Sequence, residues 1–124
     1  MKYLCIGIFL VVMTNTAFSL DKNPIEPERY FRQVDLGTPL FDVKVIDGLT
    51  HESKIETITS PVLGTYWNRI TGRDDSGAYQ TCMDVQVGKH IVEGYSVACI
   101  ESLLYVEEVR SKYNGVVIKK YINP

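Results

Sequence analysis

The chain has few of the residues that enzyme and metal sites require. It contains three cysteines and two histidines, His51 and His90, in 124 residues. The histidines show no metal-ligand spacing to the cysteines, and no recognisable nucleophile motif flanks either of them. The sequence also lacks a glycine-rich phosphate loop and a CxxC pair. We therefore expect a protein that is not an enzyme and that holds neither a metal ion nor a cofactor.

Long apolar runs and clustered positive charge are also missing. The apolar stretch at residues 4–13 falls short of the ~20 residues that a membrane-spanning helix needs. The formal net charge is −2 at pH 7, whereas nucleic-acid binding depends on clustered basic residues. We expect no nucleic-acid partner, and no stable membrane insertion once the first residues are removed.

Those first residues have the pattern of a secretory signal peptide. Lys2 precedes the apolar stretch, and the small residues Ala17 and Ser19 fit the positions before a signal-peptidase cut. The sequence predicts a signal peptide over residues 1–19 and a single domain over residues 20–124. The expected location is therefore secreted or periplasmic.

Removal of the signal peptide, which carries Cys5, leaves two cysteines in an exported chain. An even count in that setting predicts a disulfide between Cys82 and Cys99. Alternating apolar residues on both sides of Gly88 indicate an antiparallel hairpin with residues 88–93 as its loop. Opposed residues in such a pair have Cα atoms ~4.5 Å apart, which suits a disulfide. We expect the bond to cross this hairpin.

The remaining pattern predicts an α+β fold. Prolines and charges mark residues 20–36 as an N-terminal arm, and a small antiparallel sheet or partly open barrel of about five to six strands follows. Alternation or β-branched residues indicate strands near residues 41–45, 54–59, 62–71, 79–87, 91–100 and 116–122. The spacing of Leu103, Val106, Val109 and Tyr113 favours one late helix. Arg110 interrupts this stripe, which leaves open a strand that extends to Val106.

Tyr66, Trp67 and Arg69 are the candidate binding residues. On a strand, Trp67 and Arg69 share one face and Tyr66 lies on the other. An exposed Trp beside an Arg is typical of a binding hot spot, and a flat aromatic face also suits a sugar. The alternative interpretation places Trp67 in the core beside Leu63, because large aromatic residues fill much of a small core.

Three functions remain open on these observations. The first is a non-enzymatic protein-binding or assembly factor of the cell envelope or secreted fraction, of the pilus, secretion or inhibitor type. The order of elements over residues 66–123 is similar to that of OB-fold B subunits of pertussis-type toxins, which implies a ring-forming subunit with a glycan partner. Those proteins usually continue with another strand and a second disulfide. The third is a small secreted hydrolase that uses His51 or His90.

Overall fold

The computed structural model describes residues 29–124, and within them it contains strands and no helix. The predicted signal peptide, residues 1–19, lies outside the described residues, as does the start of the expected arm. The ten strands of this described part are β1 (Phe31–Val34), β2 (Pro39–Ile46), β3 (Ser53–Thr59), β4 (Gly64–Trp67), β5 (Arg69–Arg73), β6 (Tyr79–Met83), β7 (His90–Ile91), β8 (Ser96–Glu101), β9 (Val106–Arg110) and β10 (Gly115–Lys120).

Two antiparallel sheets of four strands form the body. The first sheet has the order β1-β4-β8-β9, and the second has the order β3-β2-β10-β7. Both contribute side chains to one main core, in which Tyr66 and Ile100 of the first sheet meet Phe41, Val43 and Val117 of the second. Alternation in β2 places Phe41 and Val43 on this inner face.

A separate hairpin of β5 and β6 covers the outer face of the first sheet. Asn68 separates β4 from β5: its amide and its side-chain oxygen both bond to the backbone of Tyr30, and its carbonyl accepts from Asp84. Under the hairpin lies a second small core of Ile70, Cys99 and Val106. The first sheet is therefore covered on both faces where the hairpin lies.

The predicted α+β class and its late helix are wrong, since the described part of the chain is all-β. Residues 103–105 form a bent turn, and Val106 and Val109 lie on β9. Val109 faces the main core and Val106 faces the second core. Apolar residues three apart resemble a helical pattern here because this strand is covered on both faces. Side chains on either face of the strand are therefore buried.

The disulfide between Cys82 and Cys99 is present, but the predicted hairpin register is wrong. Cys82 on β6 pairs in register with Ile70 on β5. Cys99 on β8 lies between Trp67 on β4 and Glu108 on β9. The bond, with Cα atoms 6.4 Å apart, therefore ties the β5–β6 hairpin to the outer face of the first sheet. The alternating pattern showed two strands, and it contained nothing that decided which strands pair.

Candidate functional site

Trp67 lies at the centre of an aromatic cluster on the outer face of the first sheet. Strand register places Phe31 of β1 directly opposite Trp67 of β4, so both side chains leave the same face of the sheet. Their ring centroids are 4.9 Å apart and the rings are tilted by 36°. Phe31, at 60% exposed, is the solvent-facing part of the pair.

Charged groups hold the indole on two sides. The Arg29 guanidinium carbon lies 4.9 Å from the Trp67 ring centroid, a cation–π distance. The indole Nε1 donates to a Glu101 carboxylate oxygen at 3.0 Å. We call Arg29, Phe31, Trp67 and Glu101 the aromatic face. It is preorganised, because Arg29 and Glu101 fix the orientation of the Trp67 indole in the free protein.

The two interpretations of Trp67 each describe one side of the residue. Trp67 is partly buried and packs against the second core of Ile70, Cys99 and Val106. It also contacts the exposed Phe31 and Arg29. Trp67 therefore packs against the second core under the hairpin and also forms part of the exposed aromatic face.

Tyr66 lies in the main core, whereas Arg69 lies beside the aromatic face. Tyr66 is fully buried, and its hydroxyl donates to Asp84 Oδ2 at 2.6 Å, so its side chain belongs to the main core. Arg69 is partly buried and lines a small groove with Arg29 and Thr81. The structure thus joins Trp67 to Phe31 and Glu101, residues that the sequence pattern did not select, because their proximity depends on strand pairing.

An apolar turn lies next to the aromatic face. Residues 102–105 connect β8 to β9, and the side chains of Leu103 and Leu104 are 102% and 86% exposed. Leu63, 67% exposed, lies across an open groove from these two leucines. The groove has a volume of about 930 Å³, and Tyr105 also lines it. Glu101 lines this groove and bonds to Trp67, so the two features adjoin.

A buried polar cluster around Asp84 connects β10 to β4 and to Tyr30. Lys120 Nζ lies 2.7 Å from Asp84 Oδ2, and the two side chains are 5% and 2% exposed. Burial and the nearby Asp84 charge raise the pKa of Tyr66, and burial also raises the pKa of Tyr30, whose hydroxyl donates to the same carboxylate. Because solvent does not reach the ion pair, we regard the cluster as a structural link between elements.

The histidines are not part of a shared site. His51 lies in the turn between β2 and β3 with a positive φ of 62°, and the exposed His90 lies on the short strand β7. No group of three His, Cys, Asp or Glu side chains within residues 29–124 is arranged to hold a metal ion. The same residues form no helix long and apolar enough to cross a membrane.

Family models, curated proteins and solved structures were compared with this chain, and none of them matches it. The fold and the cross-link therefore define the class: a small all-β protein with one disulfide in its described part. Cys99 is 1% exposed and Cys82 is partly buried. A disulfide of this kind is typical of an oxidising, exported compartment.

Proposed function

We propose that this protein is an exported, non-enzymatic protein-binding or assembly factor of the cell envelope or secreted fraction. It binds its partner through the aromatic face. The observation that carries the proposal is the exposed Phe31 packed on a Trp67 whose orientation is already fixed. Signal-peptide export, which the sequence predicts, sets the compartment in which the partner is met.

The composition of the aromatic face supports a protein partner. Trp and Arg are enriched among the residues that dominate binding at the centres of protein interfaces. Trp67 and Phe31 are held by neighbouring strands rather than by a loop, so little conformational entropy is lost when a partner covers them. Arg69, which lines a groove with Arg29, extends this surface towards the hairpin.

The same geometry gives less support to a glycan. A sugar ring stacks on an open indole face, and Arg29 lies over the Trp67 ring. Glu101 already accepts from the indole nitrogen. The glycan-binding ring subunit and the small secreted hydrolase thus remain alternatives that no contact described above favours.

Capture with matched variants tests the proposal. Immobilised protein is exposed to the native envelope and secreted fractions, alongside Phe31→Asp and a control, Leu49→Asp. Leu49 is 92% exposed in the turn after β2, so both changes place a carboxylate on the surface without opening a core. We expect a partner protein that the wild type and the control capture and that Phe31→Asp loses. Equal capture by all three would contradict a partner-binding aromatic face.

For Trp67, both binding and stability must be measured, because this residue lies at the aromatic face and also packs against the second core. Trp67→Ala should weaken partner binding by ~2 kcal/mol or more. It should also lower the free energy of unfolding, since it opens a gap against Ile70 and Val106. Phe31→Ala should weaken binding with little loss of stability, which separates the two roles. Binding is measured by calorimetry and stability by urea unfolding.

A further inference from the structure

We propose that the groove beside Leu103 and Leu104 binds a basic amphipathic segment of a protein partner. The segment places its apolar side chains against the leucines and its Lys or Arg side chains against the acidic groove that adjoins them. This inference rests on the proposed function, because it names the chemistry of the partner. Apart from Glu101, which lies at both surfaces, its observations are separate from the aromatic face.

The leucines are held out in solvent by the turn itself. The Ser102 amide and hydroxyl both donate to the Tyr105 carbonyl, at 2.9 and 2.7 Å. Two-residue turns in hairpins usually carry Gly, Asn or Asp, whereas this one carries two leucines with nearly full exposure. Because these hydrogen bonds close the turn, both leucines lie at the tip of the β8–β9 hairpin. Exposed apolar patches of this kind mark interaction sites.

The opposite wall of the groove is also apolar. Val62 and Leu63 precede β4 and line the groove. Gly64 follows them, and a Cβ at this position would clash with the backbone oxygen of Glu101. The absence of a side chain at Gly64 lets this segment pack directly against the end of β8. The result is an open, mainly apolar groove that can take the apolar side chains of a bound segment.

The surface that adjoins this groove is acidic. Glu101 lines the groove itself. Beyond Tyr105, which both surfaces share, an adjoining groove is lined by four further acidic side chains, those of Asp74, Asp75, Glu107 and Glu108. Among the described residues that line the two grooves, Arg110 is the one basic side chain, and it forms an ion pair with Glu108. The charge of the surface is thus complementary to a basic segment.

The negative charge of this surface also favours a protein partner over an anionic lipid surface. An apolar turn that enters a membrane interface is usually flanked by Lys and Arg, which are attracted to anionic headgroups. Here the flanking charges have the opposite sign and would be repelled. A segment with both apolar and basic side chains can pack against the leucines and form ion pairs with the acidic side chains.

The test uses two short synthetic peptides, one of alternating leucine and lysine and one of alternating leucine and glutamate, followed by fluorescence anisotropy. We expect the leucine–lysine peptide to bind and the leucine–glutamate peptide to bind at least about tenfold more weakly. The double change Leu103→Ser and Leu104→Ser should reduce binding of the first peptide by a similar factor. The control Leu49→Ser should leave it unchanged. Asp75→Asn with Glu107→Gln should weaken binding and flatten its dependence on salt.

Several results would overturn the inference. Equal binding of both peptides, or binding that survives loss of both leucines, would show that the groove is not the site. Leucine-dependent binding to phosphatidylglycerol vesicles would identify a lipid surface instead. A dimer that dissociates in the leucine variant would identify a second copy of the chain. None of these results changes the Phe31-dependent capture, so the proposed function and this inference fail separately.

Discussion

Lys120 and Asp84 form an ion pair that is almost completely shielded from solvent, with Nζ 2.7 Å from Oδ2. The same carboxylate oxygen accepts from Tyr66 at 2.6 Å and from Tyr30 at 3.1 Å. Asp84 thereby joins the end of β10, the middle of β4 and the residue before β1. A single carboxylate holds together segments that are far apart in the sequence.

Breaking this pair should destabilise the fold strongly. Lys120→Met leaves a buried carboxylate without its cation, and Asp84→Leu leaves a buried ammonium without its anion. Removing one partner of a buried pair typically costs about 3–5 kcal/mol. Urea unfolding measures the loss, and Lys119→Met, at the exposed neighbouring position, serves as the control.

The double variant Asp84→Leu with Lys120→Met should cost less than the sum of the single changes, because no unpaired charge remains in the interior. Strict additivity would show that the two side chains do not interact as an ion pair in solution.

Stability should fall at alkaline pH because of Tyr66. Burial raises its pKa above the ordinary value of 10.0, so the folded protein keeps a phenol proton that the unfolded chain releases. Below pH 10 this contribution is fully present, and above it stability decreases by ~1.4 kcal/mol per pH unit for one such group. Tyr66→Phe should show a shallower alkaline decline, measured by urea unfolding across pH. Tyr79→Phe, 70% exposed, should follow the wild type.

Local features of the fold were predictable from sequence, and long-range pairing was not. Alternation located β2 and β10 near their observed positions because one face of each meets the core. The helix predicted through Val106 and Val109 was wrong because the period cannot reveal a hairpin that covers the second face. The hairpin leaves the first sheet after Asn68, which bonds to the backbone of Tyr30, 38 residues earlier.

The candidate site shows the same division. Strand alternation correctly placed Tyr66 and Trp67 on opposite faces, and Tyr66 is the buried one. The partners of Trp67 were not predictable, since Phe31 and Glu101 lie more than 30 residues away in the chain. The Asp84–Lys120 pair was also missed, because a lone Asp and a lone Lys carry no pattern that marks them as buried.

Export remains a sequence prediction, and the mature N-terminus tests it. Ala17 and Ser19 before Leu20 should direct cleavage after residue 19. Intact-mass measurement of protein recovered from the exported fraction should match residues 20–124 with one disulfide. A product that keeps residues 1–13 would contradict a cleaved signal peptide. Ala17→Arg should block processing, because signal peptidase requires a small residue there.

The disulfide should stabilise the β5–β6 hairpin more than any other element. Cys82 lies on the hairpin and Cys99 on the first sheet, and besides this bond the second core of Ile70, Val106 and Trp67 holds the hairpin in place. Replacing both cysteines by Ala should cost roughly 2–4 kcal/mol of unfolding free energy. Amide hydrogen exchange should then accelerate first in residues 69–83, while β2 and β10 keep their protection until global unfolding.

Ile70→Ala is the matched variant for this prediction, because it weakens the same hairpin contact and keeps the covalent bond. It should lower stability through the lost packing, yet hydrogen exchange in the hairpin should remain slower than in the cysteine double variant. Peptide mapping without reductant should recover the Cys82 and Cys99 peptides joined. If removal of the bond instead loosens the β2–β3 pair while the hairpin stays protected, the disulfide does not act by holding the hairpin on the sheet.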